Sequence, residues 1–251
     1  MAVDYDGRLH TVYARGRMLD PDSLRRWIAE FTRHVPERRP LRVLDLGSGT
    51  GRFTPALADA FGGPVYGVEP SEGMRAVATA DATHPSVTYL AGQAEAIPLA
   101  SASCDAALLF LTFHHFPDQA GALRELARVV RPGGTVLIRT CLSDRMPDLY
   151  WYRYFPSAAE ADGAMYRTEQ YVRDLARAAG FTPRARVDVP AEPSRTLRDA
   201  YERLRWRALS TFEHLPEPEI EAGFAAFARD AEEHGDREIP SPPADLLVLT
   251  R

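Results

Sequence analysis

Lysine is absent from the 251 residues, so every basic side chain is an arginine and the formal net charge is −5. A phosphate-binding loop of the GxxxxGK(S/T) type therefore has no residue to supply its cation. The arginines are scattered rather than gathered into a stripe, which excludes a typical nucleic-acid-binding surface. Cysteine is scarce: Cys104 and Cys141 lie far apart and outside any CxxC spacing, and they read as buried thiols in a reducing compartment. No stretch approaches the ~18 apolar residues of a membrane span. The opening MAVDYDGRLH also lacks the basic start and apolar core of a signal peptide. The expectation is a cytoplasmic chain with neither a nucleic-acid nor a membrane partner.

What the chain does contain is alternation. Apolar runs of strand length stand at 41–46 (LRVLDL), 64–69 (PVYGVE), 87–91 (VTYLA), 105–111 (DAALLFL) and 134–140 (GTVLIRT). Helical patterns lie between them at 51–61, 72–80 and 118–130. Strands apolar on both faces, alternating with helices, predict an α/β fold with a parallel sheet covered on both sides. Ahead of the first strand, Leu24, Trp27, Ile28, Phe31 and Val35 recur at helical spacing over 21–35, with Asp20 or Asp22 as cap. Past the fifth strand, a helix over 168–179 closes at Gly180 and a strand follows at 184–189. A last strand, DLLVLT, occupies 245–250. The long segment before it holds two helical patterns, 194–215 and 217–233, parted by LPEPE, and predicts a helical cap. This divides the chain into a helical lid (1–35), a ligand-binding core (36–192), a cap (193–244) and a last core strand (245–251).

VLDLGSGTGR at 43–52 is the pointed feature. Glycines in a strand-to-helix turn expose backbone N–H groups and admit a ligand closely. A dinucleotide fingerprint reads GxGxxG, and here Gly47, Gly49 and Gly51 are followed by Arg52 where its last glycine would stand. Asp45 precedes the turn and Glu69 ends the next strand. A carboxylate there accepts both hydroxyls of a ribose and repels phosphate, so the turn predicts a nucleoside ligand without phosphates.

Four segments in order, VLDLGSGTGR (43–52), GVEPSEGM (67–74), GQAEAIPLASASCDAALLF (92–110) and RVVRPGGTVLIRT (128–140), are similar to those of class I S-adenosylmethionine-dependent methyltransferases. The resemblance is to the small-molecule branch that includes the ubiquinone and menaquinone biosynthesis enzymes. It implies a Rossmann-like, seven-stranded, mostly parallel sheet with the last strand antiparallel, S-adenosyl-L-methionine as cofactor, a small-molecule methyl acceptor and no metal. It implies that the backbone of Gly47, Ser48 and Gly49 lies along the methionyl part, with Asp45 near its ammonium group. Glu69 would hold the ribose, while Pro70 and Met74 border the adenine. Gln93, Ala94 and Glu95 fall where the family reads the adenine edge. The familiar GDA there is Gly92, Gln93, Ala94 in this chain, which leaves the adenine amino group to Gln93 or Glu95. Leu111 would approach the sulfonium. In the lid, Tyr5, Tyr13 and Arg17 are candidates, with Arg17 facing the cofactor carboxylate.

His114 and His115, following the fourth strand, have the chemistry of a general base, or they shape the pocket. The aromatic run Tyr150, Trp151, Tyr152, Tyr154 and Phe155 reads either as packing for the cap or as a wall for an apolar acceptor. Arg198, Arg203 and Arg207 read as the solvated face of a cap helix. Because one fold hosts many activities, a cofactor-binding protein that acts as a cyclase or binding partner without methylating is the alternative, and a nicotinamide-dependent oxidoreductase ranks third.

Overall fold

The inner apolar runs, 43–46, 65–69 and 104–110, form strands because they are buried on two faces, and successive side chains sort between two helical layers, while the run at 87–91 is only half-buried. A computed structural model of the chain describes residues 6–7, 10–17, 19–190 and 195–251. Its main sheet contains β1 (Val43–Leu46), β2 (Val65–Glu69), β3 (Val87–Ala91), β4 (Cys104–Phe110), β5 (Val130–Thr140), β6 (Thr182–Val189) and β9 (Ala244–Thr250). The order is β3-β2-β1-β4-β5-β9-β6, with β9 antiparallel to both neighbours and the other pairs parallel. That is the α/β Rossmann-like sheet expected from the sequence. A two-residue ribbon, β7 (Arg195–Thr196) with β8 (Glu238–Ile239), stands apart from it.

Alternation along β4 shows the sorting. Ala106 and Leu108 pack with Trp27 and Phe31 of α2 (Pro21–Thr32) and Leu57 and Phe61 of α3 (Thr54–Phe61). Ala107 and Leu109 pack with Leu123 and Leu126 of α5 (Gln119–Val129) and Val172 of α7 (Glu169–Ala178). Burying a Leu or Phe side chain contributes ~1.5–3 kcal/mol, so this two-sided burial dominates the fold's stability. Among the described residues, no helix is long and apolar enough to cross a membrane.

Several local signals act as expected. Asp20 caps α2 by accepting from the Ser23 N–H at 2.8 Å, and Gly180 follows α7 with φ +89°. Other expectations shift. The helix expected from 51 begins at Thr54, because the glycines through Gly51 hold positive φ and keep the turn non-helical. The pattern over 194–215 is divided: α8 (Leu197–Leu204) stops, the chain turns at Arg207 (φ 50°), and a 3-10 turn spans Ser210–His214. α9 (Glu217–Glu233) follows as a continuous helix over 217–233. Two helices were not individually legible, α1 (His10–Arg17) and α6 (Ala158–Met165), and α4 (Glu72–Asp81) runs one residue past the expected 72–80. Tyr5 lies outside the described residues.

A third apolar cluster lies beside the sheet. Phe227 and Ile220 of α9, Leu197 and Ala200 of α8, and Phe212 pack with Trp151, Phe155 and Ala158. The stretch before α6 thus shares one apolar body with α8 and α9, over the carboxyl edge of the sheet.

Candidate active site

The turn after β1 is built around positive backbone angles, φ +71° at Gly47 and +55° at Gly49. A Cβ on Gly47 would run into the Thr112 side chain, so position and conformation both demand glycine. The Gly47 N–H donates to the Val68 carbonyl at 2.7 Å, tying the turn to β2. The Gly49 N–H donates to Glu69 Oε2 and the Ser71 N–H to Glu69 Oε1, each at 3.0 Å. Glu69 is 7% exposed. Burial pushes its carboxyl pKa up, against the pull of those two N–H groups.

Strand alternation turns Asp45 the other way, onto the α3 face. It is 3% exposed and accepts from Thr54 Oγ1 at 2.7 Å. Burial outweighs that hydrogen bond and raises its pKa from 3.8 to about 6.

A cavity of about 260 Å³ opens on the turn. Gly47, Gly49, Glu69, Pro70 and Met74 line one part of it, Gln93, Ala94 and Glu95 another, and Tyr13, Leu111 and His115 a third. Asp45 and Ser48 do not line it. Ser48 is buried in the turn, where its N–H donates to the Val68 carbonyl and its Oγ has no hydrogen-bond partner. Arg17 and His114 line a neighbouring cavity instead. Sequence reasoning missed Phe116 and Pro117, although FHHFPD follows β4 at the sheet edge where such folds bind ligands.

The cavity fits an adenosyl group. Glu69 supplies a desolvated acceptor for a diol, while Val68, Met74 and Phe116 offer apolar surface for a flat ring. At Gly49 an added Cβ would meet nothing nearer than Tyr13 Cε1 at 4.0 Å, so the turn leaves room for a ligand. Glu95 Oε1 already accepts from the Asp118 N–H at 3.1 Å. Gln93 is therefore the less committed of the two side chains at the expected adenine edge.

The second cavity, about 320 Å³, lies under the cap and shares Tyr13, Leu111 and His115 with the first. Leu111 adopts φ 56°, a left-handed conformation unusual for leucine, with its N–H donating to the Arg139 carbonyl at 2.8 Å. Burial pushes the His115 pKa down to about 4, with His214 adding to the effect, and burial holds His114 well below its ordinary value. Both rings are uncharged at neutral pH. The His114 ring lies 4.5 Å from that of Tyr166 on the same cavity wall. Burial opposes ionisation of the Tyr13 phenol, but the guanidinium groups of Arg52 and Arg17 outweigh it and bring its pKa below 10.

The aromatic run divides between its two readings. Tyr150 and Trp151 reach the second cavity, whereas Tyr154 stacks on Phe227 at 4.3 Å and Phe155 is buried in the cap. Arg203 also lines the cavity, and Arg207 lies past the end of α8, where it makes two exposed hydrogen bonds to Glu217 at 2.8 and 2.7 Å. Arg139 and Cys141, just at the end of β5, were missed, as was Asp162 on α6.

A family model described as a methyltransferase domain matches residues 44–138. An uncharacterized methyltransferase of Mycobacterium tuberculosis is 36% identical over 152 residues, covering 60% of this chain and 57% of that protein. The chain thus spans less than two thirds of that relative's length. A demethylmenaquinone methyltransferase of Geobacillus stearothermophilus is 32% identical over 167 residues, covering 61% of this chain and 70% of that protein. Among solved structures, a methyltransferase assigned to an antibiotic biosynthesis pathway in Anabaena variabilis superposes with TM-score 0.74 at 22% identity, covering 94% and 99% of the two chains. A (4+2) cyclase superposes with TM-score 0.61 at 18% identity, covering 94% of this chain and 84% of the other. At these identities the structural likeness speaks to the fold.

Proposed function

This chain belongs to the class I S-adenosylmethionine-dependent methyltransferases, and on that premise we propose that it methylates a small organic acceptor, a secondary metabolite or quinone-like compound of aromatic or apolar character. The observation that carries this reading is the junction of the two cavities at Tyr13, Leu111 and His115. Ligands in the two chambers would be neighbours across those three side chains.

When bound, S-adenosylmethionine supplies a methyl group activated on a sulfonium centre. Glu69 takes the ribose hydroxyls, the turn of Gly47 and Gly49 follows the methionyl part, and Pro70, Met74, Gln93 and Ala94 border the base. Asp45 and Ser48 support the turn from behind, and Arg17 acts on the acceptor side. The chain's main task is alignment, which contributes up to ~7–11 kcal/mol in favourable intramolecular cases. α1, through Tyr13 and Arg17, and the cap hold the acceptor and exclude water, while α2 of the expected lid belongs to the layer packed on the sheet.

His115, which lines both chambers, is the group placed to receive the acceptor's proton, and His114 shapes the wall behind it. With a pKa of about 4, His115 is a weak base. That suffices for an acceptor whose proton becomes strongly acidic as its oxygen or carbon gains the methyl group.

Incubation with S-adenosylmethionine and a panel of hydroxylated aromatic compounds, followed by mass spectrometry, tests the reading. Methyl transfer yields S-adenosylhomocysteine and an acceptor heavier by one methylene. An acceptor rearranged without consumption of the cofactor would replace this reading with the cyclase alternative.

A further inference from the structure

The wall of the second cavity carries Arg139, a cation that no carboxylate among the described residues pairs with. Arg139, near the end of β5, donates from Nη1 to the Thr140 carbonyl at 2.6 Å and lies 3.8 Å from Cys141 Sγ. Its guanidinium carbon sits 5.9 Å from the Trp27 ring centroid, and its Nε is buried with no hydrogen-bond partner. Among the described residues, no carboxylate is paired with it.

The acids on the same wall are engaged elsewhere. Asp162 accepts from Tyr152 Oη at 2.8 Å and Thr211 Oγ1 at 2.6 Å. Asp245 pairs with Arg186 at 3.0 Å and Arg145 at 3.4 Å. Arg17 and Arg203 line the cavity too.

Holding a partly desolvated guanidinium without a carboxylate is costly, and an apolar side chain would cover Trp27 as well without that cost. Arginine is the residue suited to a planar carboxylate, which it binds through charge-assisted hydrogen bonds. Resting on the methyltransferase reading above, we propose that the methyl acceptor carries a carboxylate and that Arg139 is its counter-ion. Tyr150, Trp151 and Tyr166 line the same chamber, so an aromatic acid fits it.

The test is calorimetry on the full chain. S-adenosylhomocysteine is titrated first, and its failure to bind would overturn the underlying reading and this inference with it. With that site saturated, 3,4-dihydroxycinnamate, its amide and phenyl phosphate are titrated into the wild type and into Arg139→Met. The wild type is expected to bind the acid at least tenfold more tightly than the amide. Arg139→Met is expected to reduce that preference below threefold, to keep S-adenosylhomocysteine affinity within threefold, and to melt no lower than the wild type. Equal or undetectable binding of acid and amide overturns the proposal. So does a preference that survives in Arg139→Met, tighter binding of the phosphate than of the acid, or a clear drop in the variant's Tm, which would assign Arg139 a structural role.

Discussion

The Gly49 N–H donates to Glu69 Oε2 across 3.0 Å, joining the turn after β1 to the acid that ends β2. One carboxylate therefore holds the turn's shape and borders the cavity. Glu69→Ala should weaken S-adenosylmethionine binding by on the order of 1–3 kcal/mol, the scale for losing hydrogen bonds to a charged group. Calorimetric titration of the folded variant measures this, and an unchanged affinity would remove Glu69 from the site.

Asp45 makes stability depend on pH with an unusual sign. Its folded pKa of about 6 lies above the ordinary 3.8, so the folded chain binds its proton more tightly than the unfolded chain. Raising the pH from ~4 through about 6 therefore removes stability, ~3 kcal/mol at most, and the full penalty persists above that window. Asp45→Asn keeps an acceptor for Thr54 Oγ1 and abolishes the ionisation. Its stability relative to the wild type, from urea unfolding, should rise across this window and then level off. A difference independent of pH contradicts the assignment.

His115 has the opposite consequence. Its folded pKa of about 4 lies below 6.5, so its contribution to stability is fully present above pH ~6.5 and lost as pH falls through about 4. Once an acceptor is known, kcat/KM should show no inflection from this group between pH 6 and 8. An inflection near 6.5 that disappears in His115→Gln would show a solvated imidazole instead.

Phe227 stacks on Tyr154 and packs in a cluster separate from the two sheet cores. Phe227→Ala should cost ~3–5 kcal/mol, concentrated in the cap. Hydrogen exchange should accelerate in α8 and α9 while S-adenosylmethionine affinity stays within about threefold. Uniform acceleration through the sheet would mean that cap and core unfold as one unit.

The inner strands were legible because they are apolar on both faces and their turns are marked by glycine, whereas the edge strands β3 and β6 are half-exposed. Gly47, Glu69, Met74, Gln93 and Leu111 were singled out because each lies at or beyond a strand end or beside a glycine turn, and the structure brings them to one cavity. Asp45 was not, because the strand's two-residue alternation sends its carboxylate to Thr54, and a motif records position rather than facing. The acceptor chamber was the least legible part. Arg139, Asp162, Arg203 and Tyr166 come from separate elements and share no local pattern, and the cap packing alone brings them together.

The central claim is that the glycine turn and Glu69 serve S-adenosylmethionine. Separate calorimetric titrations of the purified chain with S-adenosylmethionine and with NADH test it most directly. Micromolar binding of S-adenosylmethionine and none of NADH is the expected result. Binding of NADH, or no binding of S-adenosylmethionine, would contradict it.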